Sequence, residues 1–491
     1  ITDDSNPNNM HPVGGDFVLF VADDGVTGEE LYRWDAATGA TLLKDINPGA
    51  DDSDAYAFYT CFLGGQLVTF FRADDGTNGA ELWITDGTAA GTSMLADIHP
   101  GGGASSPIEF FFHPLHQALY FQADDGVTGA ELWRTDGTTA GTTLVADINV
   151  GASGSFPAGI IDNGLAMVFR ANDGANGIEL FASYGTGPST TLVMDIFPGT
   201  DPFFGPNSSN PKDFFHIGGK LVFVAGNDVV GQELWTTDGT AAGTSVVVDL
   251  WPGDDGAGYS HMTWFQDEVY FQGNNGVSGY ELYKTDGTAA GTVLVADLVP
   301  GIGSGSPSDM SVSGGKLFFK GNDSGVTGGE LWTSDGTAAG TTLVIDLRPG
   351  SSSSAPRYLT PVSDGVYFRA HDGVTGYELW FSDGTAAGTT QVCDIFPGPT
   401  SSSPTEFVLC AGDLFFKADD PAIGKELFTV PAVGAYSEDL GLGFWGGPRL
   451  SSSAPVLGGS ITFEGRDAQP GVGCCERDRE RSGRHMARTR S

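Results

Sequence analysis

The chain has 491 residues, among them 74 Gly and 26 Pro, which is too long for one ordinary hydrophobic core and too rich in turn formers for long helices. With 62 acidic against 23 basic side chains the net charge is −39, which excludes nucleic-acid binding through a basic patch and adsorption to anionic lipid. Apolar residues at 40% exclude a disordered acidic chain. No apolar run approaches the ~18–20 residues of a membrane span, so no membrane insertion is expected.

Along the chain one triplet keeps returning: Glu30-Leu31-Tyr32, Glu81-Leu82-Trp83, Glu131-Leu132-Trp133, Glu179-Leu180-Phe181 and Glu233-Leu234-Trp235. It continues with Glu281-Leu282-Tyr283, Glu330-Leu331-Trp332, Glu378-Leu379-Trp380 and Glu426-Leu427-Phe428. Successive glutamates stand 48 to 54 residues apart, which is the signature of a structural repeat. Residues 306–350 show one unit in full. Short apolar runs cover Asp309 to Ser313, Lys316 to Lys320, Glu330 to Thr333 and Thr342 to Leu347. Turns at Gly314-Gly315, Asn322-Asp323 and Asp335-Gly336 separate them, and Pro349-Gly350 closes the unit. Runs of this length between Gly, Asn and Asp predict strands, and Asp-Gly predicts a hairpin.

The predicted class is therefore all-β: a β-propeller-like array of four-stranded antiparallel blades, with nine full repeats of about 49 residues. The competing architecture is an open β solenoid. The repeats occupy residues 1–450, a truncated tenth repeat 451–473, and an atypical basic tail 474–491. That tail holds six arginines, and a shifted reading frame would restore Asp-Gly-Thr near Gly483-Arg484-His485-Met486.

The triplet aromatic predicts blade-to-blade packing, and Asp-Gly-Thr predicts hairpin chemistry, with Asp accepting backbone N–H groups and Gly supplying positive φ. More ambiguous are the acids before each triplet: Asp23, Asp24 and Glu30; Asp74, Asp75 and Glu81; Asp124, Asp125 and Glu131. The same pattern gives Asp173 and Glu179, Asp372 and Glu378, and Asp419, Asp420 and Glu426. Carboxylates on a tight Gly turn suit Ca²⁺, so these residues form a candidate metal set. The alternative is that Asp caps the turn while Glu accepts a backbone or Thr hydrogen bond. A further acid ends each fourth strand, as at Asp45, Asp97 and Asp195, and is expected on the same face. So much like charge on one rim favours a neutralising cation.

Glu81-Leu82-Trp83-Ile84-Thr85-Asp86-Gly87-Thr88 and its near copies resemble the ELWxxDGT repeat family of bacterial proteins. The resemblance implies a secreted or surface-displayed protein and supplies no catalytic residues. The eight His do not recur with the repeat, and no nucleophile-elbow, zinc-protease or phosphate-loop motif is present. Cys61, Cys393, Cys410, Cys474 and Cys475 form no metal spacing; pairing of Cys393 with Cys410 is the alternative to core filling. The expected function is a non-enzymatic extracellular or cell-surface scaffold or adhesion module that binds a glycan or surface protein. A self-assembling filament subunit is the second expectation. A quinoprotein-like propeller enzyme, from Trp34-Asp35-Ala36-Ala37-Thr38-Gly39, is the third. One unit-specific pocket lined by non-repeated polar residues would instead favour an enzyme.

Overall fold

Each unit folds as a meander because its apolar runs are too short for anything but strands and its turns sit on glycines at positive φ. The computed structural model describes residues 5–431 except 165, 324 and 423, together with 476–477. Nine four-stranded antiparallel sheets follow one another, each with its strands in sequence order. Blade 1 has strands Asn8–Val13, Phe17–Asp23, Glu29–Asp35 and Gly39–Lys44. In blade 7 the second strand runs on to Asn322 and the fourth stops at Ile345. The early stop has a cause: the Leu347 N–H turns inward to donate to Glu330 Oε2 at 3.2 Å. Among the described residues there is no α-helix, only two short 3-10 turns at Gly187–Ser189 and Ala241–Gly243.

The second strand of every blade is buried from both sides, with Phe71, Phe121, Phe169, Phe223 and Phe271 fully enclosed. The triplet aromatic packs against the preceding blade, as expected. Trp83 lies with Leu31, Leu43 and Ile46 of blade 1, and Trp235 with Leu180 and Ile196 of blade 4. Burying each such ring stabilises the stack by about 1.5–3 kcal/mol before entropy is charged against it.

First strands neighbour one another around an axis, and that of blade 9, Thr405–Cys410, lies beside that of blade 1. Trp34 meets Phe415 edge-on at 4.5 Å across this seam. The array is a closed nine-bladed β-propeller, not an open solenoid. One face carries the turns between second and third strands and the linkers between blades. The other carries the hairpins joining first to second strands and the Asp-Gly-Thr turns.

Every inner strand contains a bulge, seen as a register shift such as that between Asn8 and His11. In each, the second residue is left-handed: Asn9, Ala57, Glu109, Gly159, Asp213, His261, Asp309, Tyr358 and Glu406. Adjacent positions of this ring touch, since Gly159 N–H donates to Glu109 Oε2 at 2.9 Å. Residue type does not signal this conformation, because eight of the nine are not glycine.

Cys61 and Cys410 are free buried thiols, so the pairing of Cys393 with Cys410 is not made. The truncated tenth repeat, 451–473, lies outside the described residues. Of the basic tail, only Glu476–Arg477 is described; its backbone pairs with Phe428 and Thr429 as the outer strand of blade 9. One linker is longer than the rest, and between blades 4 and 5 it forms a small hairpin, Thr200–Asp201 with Gly205–Pro206.

Candidate functional site

The acids read as a metal set separate into two hydrogen-bond devices. The turn aspartates serve their own turns. Asp75 Oδ1 accepts the N–H groups of Thr77 and Asn78, both at 2.9 Å, while Asp74 Oδ1 accepts from Gly76 at 2.8 Å. Asp23, Asp24, Asp124, Asp125, Asp173 and Asp372 repeat one or other of these bonds, and Asp420 accepts from Ala422. Asp419 enters the next junction through its backbone, donating to Ser402 O at 2.7 Å. These bonds hold the Asp24, Asp75, Asp125, Asp173 and Asp372 carboxyls below the usual range, against the opposing pull of burial.

The glutamates do something else. Glu30, Glu81, Glu131, Glu179 and Glu378 are completely buried, as are Glu233, Glu281 and Glu330. Glu81 Oε2 accepts the Ile98 N–H at 2.8 Å, and Oε1 accepts the Ser105 N–H at 3.0 Å. The Ser105 hydroxyl donates to Oε2 at 2.5 Å, and Ser105 O receives the Asp124 N–H of the next blade at 3.0 Å. Each glutamate thus fastens the linker that carries the chain into the next blade. Ser155, Ser354 and Ser402 repeat the Ser105 bond at the same sequence offset of 24, and Ser209 repeats it at 30, across the longer linker. That recurrence was the signal available in the sequence. Burial pushes these carboxyls up, Glu30 to about 6 and Glu233, Glu281, Glu330 and Glu378 to about 7. Among the described residues, no three His, Cys, Asp or Glu side chains are gathered to hold a metal ion.

Against this repeated background one polar group occurs once, on the hairpin face where blades 3, 4 and 5 meet. The hairpins of blades 1, 2, 5 and 7 turn on Gly-Gly pairs, but blade 3 turns through His113-Pro114-Leu115-His116-Gln117. Pro114 fixes φ, Gln117 takes φ +47°, and the Gln117 Nε2 donates to Pro114 O at 2.8 Å. This tight loop stacks the two imidazoles, with centroids 3.8 Å apart and planes within 15°. The His116 N–H donates to His113 Nδ1 at 3.3 Å, so the proton of neutral His113 sits on Nε2, 3.9 Å from Asp162 Oδ2 of blade 4. His116 Nδ1 bonds the Tyr120 hydroxyl at 2.8 Å. A Cβ on Gly185 would run into that hydroxyl and stand 3.2 Å from His116 Nδ1, so blade 4 closes tightly over the pair. His216 of blade 5 lies against Asp162. Burial, His113 and Arg134 hold His116 below the ordinary imidazole range, with Asp162 opposing them.

No family model and no curated protein matches the chain. Among solved structures it is similar to a puromycin hydrolase, at 15% identity and a TM-score of 0.40 over 75% of this chain and 59% of that one. A structure from work on two prolyl endopeptidases shows 13% identity and a TM-score of 0.41, covering 77% and 54%. The tricorn protease shows 14% and 0.29, covering 87% and 38%. The chain spans little more than half the length of the first two. These neighbours are enzymes by name and do not bear out the expectation of a non-enzymatic scaffold or adhesion module.

Proposed function

We propose that this propeller belongs to a hydrolase and that His116 performs its acid–base chemistry at the junction of blades 3 and 4. The observation that carries the reading is the stacked His113–His116 pair, a constellation of titratable rings that does not recur with the repeat. His116 is exposed, and Tyr120 occupies its Nδ1, leaving Nε2 as the ring nitrogen that can reach a substrate. With its pKa lowered, the ring is neutral at pH 7 and can take a proton from water. The resulting hydroxide forms the new C–O bond at an acyl carbon. The C–N bond then breaks as the imidazolium returns its proton to the leaving amine. Asp162 favours the transient imidazolium, while Tyr120 and Gly185 keep the ring in one orientation and act as positioning residues. The family resemblance adds a secreted or surface setting to this proposal.

The test is hydrolysis of a panel of peptide p-nitroanilides by the purified chain, the panel being set by the peptide-cleaving names of the structural neighbours. His116→Gln should lower kcat by about 10²-fold or more, with the thermal unfolding curve unchanged. The wild-type rate should rise with pH through a limb below pH 6.5 that the variant lacks. Equal rates in the two proteins, or no hydrolysis by either, would remove His116 from this role.

A further inference from the structure

The exposed apolar residues are not spread evenly over the ring. Among the described residues, eleven large apolar side chains are at least 68% exposed, and ten of them lie on the face that carries the linkers, opposite His116. Six are valines at one position of the turn between second and third strands: Val26, Val127, Val229, Val277, Val326 and Val374. The turn itself does not ask for valine, since blade 2 has Thr77 there and blade 4 has Ala175. Each valine N–H is held by an Asp or Asn side chain earlier in its turn, as Val26 is by Asp24 Oδ1 at 2.8 Å. These turns rest against the linkers: a Cβ on Gly279 would strike Gly303 O, and one on Gly129 the backbone of Gly154. Ile302 and Val150 are exposed on those two linkers. The longer linker adds Phe203 and Phe204, 89% and 90% exposed on its small hairpin, both N–H groups donating to Asp201 Oδ1 at 2.7 and 3.0 Å.

We infer that the linker face is a docking surface for a cationic amphipathic segment of a partner protein, with Phe203 and Phe204 as its anchors. Apolar tips gathered on one face of a ring are the mark of an interaction surface, whereas scattered single ones are not. Their backbones are already fixed by the Asp and Asn side chains, so little ordering remains to oppose binding. Charge selects the occupant. Five of the six valine turns carry aspartate, Asp201 stands beside the phenylalanines, and none of these turns contains Lys or Arg. Each apolar tip is therefore set beside a carboxylate, and the complementary surface alternates apolar side chains with Lys or Arg. A second copy docked face to face would set aspartate against aspartate, and an anionic lipid surface is repelled for the same reason.

The experiment titrates the full chain calorimetrically with a peptide of about five helical turns, leucine on one face and lysine on the other. A second peptide replaces every leucine with serine, and a third replaces every lysine with glutamate. The leucine–lysine peptide should bind at least about tenfold more tightly than either of the others, and more weakly as salt is raised. Phe203→Ser together with Phe204→Ser should lower that affinity about tenfold to a hundredfold, with the thermal unfolding curve unchanged. Val229→Ser together with Val277→Ser should lower it by a smaller factor. Equal binding of the serine–lysine peptide would show that charge alone is at work and would overturn the inference. Equal affinity of the wild type and the phenylalanine variant would overturn it too. So would self-association in sedimentation, or adsorption to phosphatidylcholine vesicles, that the same substitutions abolish, since either would put a different occupant on the face. Binding here is read without hydrolysis, so neither result bears on His116.

Discussion

The junction between blades 2 and 3 and the seam between blades 9 and 1 use the same chemistry under different circumstances. At the internal junction, Glu81 grips Ser105 in the linker that runs directly on into blade 3. At the seam, Glu426 Oε1 accepts the Ser5 N–H at 3.2 Å and Oε2 the Ser5 hydroxyl at 2.7 Å, across 421 residues of sequence. The Asp23 N–H then donates to Ser5 O at 3.0 Å, as Asp124 does to Ser105. Among the described residues, no strand is exchanged between blades 1 and 9. Closure combines a hydrogen-bond latch of the kind used at the internal junctions with the apolar packing of Trp34 on Phe415. The two differ in wetness: Glu81 is completely buried, while Glu426 is only partly so. A buried latch must be satisfied by protein, but a partly exposed one can fall back on water.

That contrast can be broken most sharply at the buried site. Glu81→Ala strands the N–H groups of Ile98 and Ser105 and the Ser105 hydroxyl, and should cost about 3 kcal/mol or more, read by chemical denaturation. At the seam, Glu426→Ala should cost about 1 kcal/mol, because water takes over part of the role. Its mark should be local, a rise in hydrogen exchange along Asn8–Val13 and Thr405–Cys410 with the other inner strands unaffected. Equal costs at the two sites would show that burial does not distinguish them.

The smallest effect per residue is a pH dependence. A carboxyl whose folded pKa is raised keeps its proton in the folded state while the unfolded chain has released it. Stability from Glu30, Glu233, Glu281, Glu330 and Glu378 therefore falls as pH rises from about 4.5 to 7 and is unchanged below that window. The turn aspartates, with lowered pKa values, contribute stability that is lost as pH falls below about 4. Thermal unfolding followed against pH should peak near pH 5, and Glu233→Gln should flatten the alkaline side of the curve.

Much of the fold was legible in the sequence. The triplet, the four short runs and the Asp-Gly-Thr turns follow from local propensity and spacing, and Trp83 packs where its recurrence predicts. The acids were legible as a pattern and ambiguous in purpose, because turn capping and cation binding ask for the same residues at the same places. Only the direction of each carboxylate separates the two, and Glu81 points at Ser105. The bulged inner strands were hidden because the backbone there, not the side chain, is what repeats. The His113–His116 pair was hidden for the opposite reason. It occurs once, and its partners Asp162 and His216 come from other blades, brought near by ring closure rather than by sequence.

The left-handed residue in each inner strand has a consequence for what can be written on the axis. A β-branched side chain at positive φ is a true steric outlier, and unbranched residues pay about 1–2 kcal/mol while Gly pays nothing. Asn, Ala, Glu, Gly, Asp, His, Asp, Tyr and Glu occupy the nine positions, and Val, Ile and Thr are missing from a place where a strand would normally welcome them. The axis has a restricted alphabet. Saturation libraries aimed at it should draw on Gly, Asn, Asp and unbranched residues. A valine there would push its strand out of the bulge and shift the register by one residue, turning the rest of that strand to its opposite face.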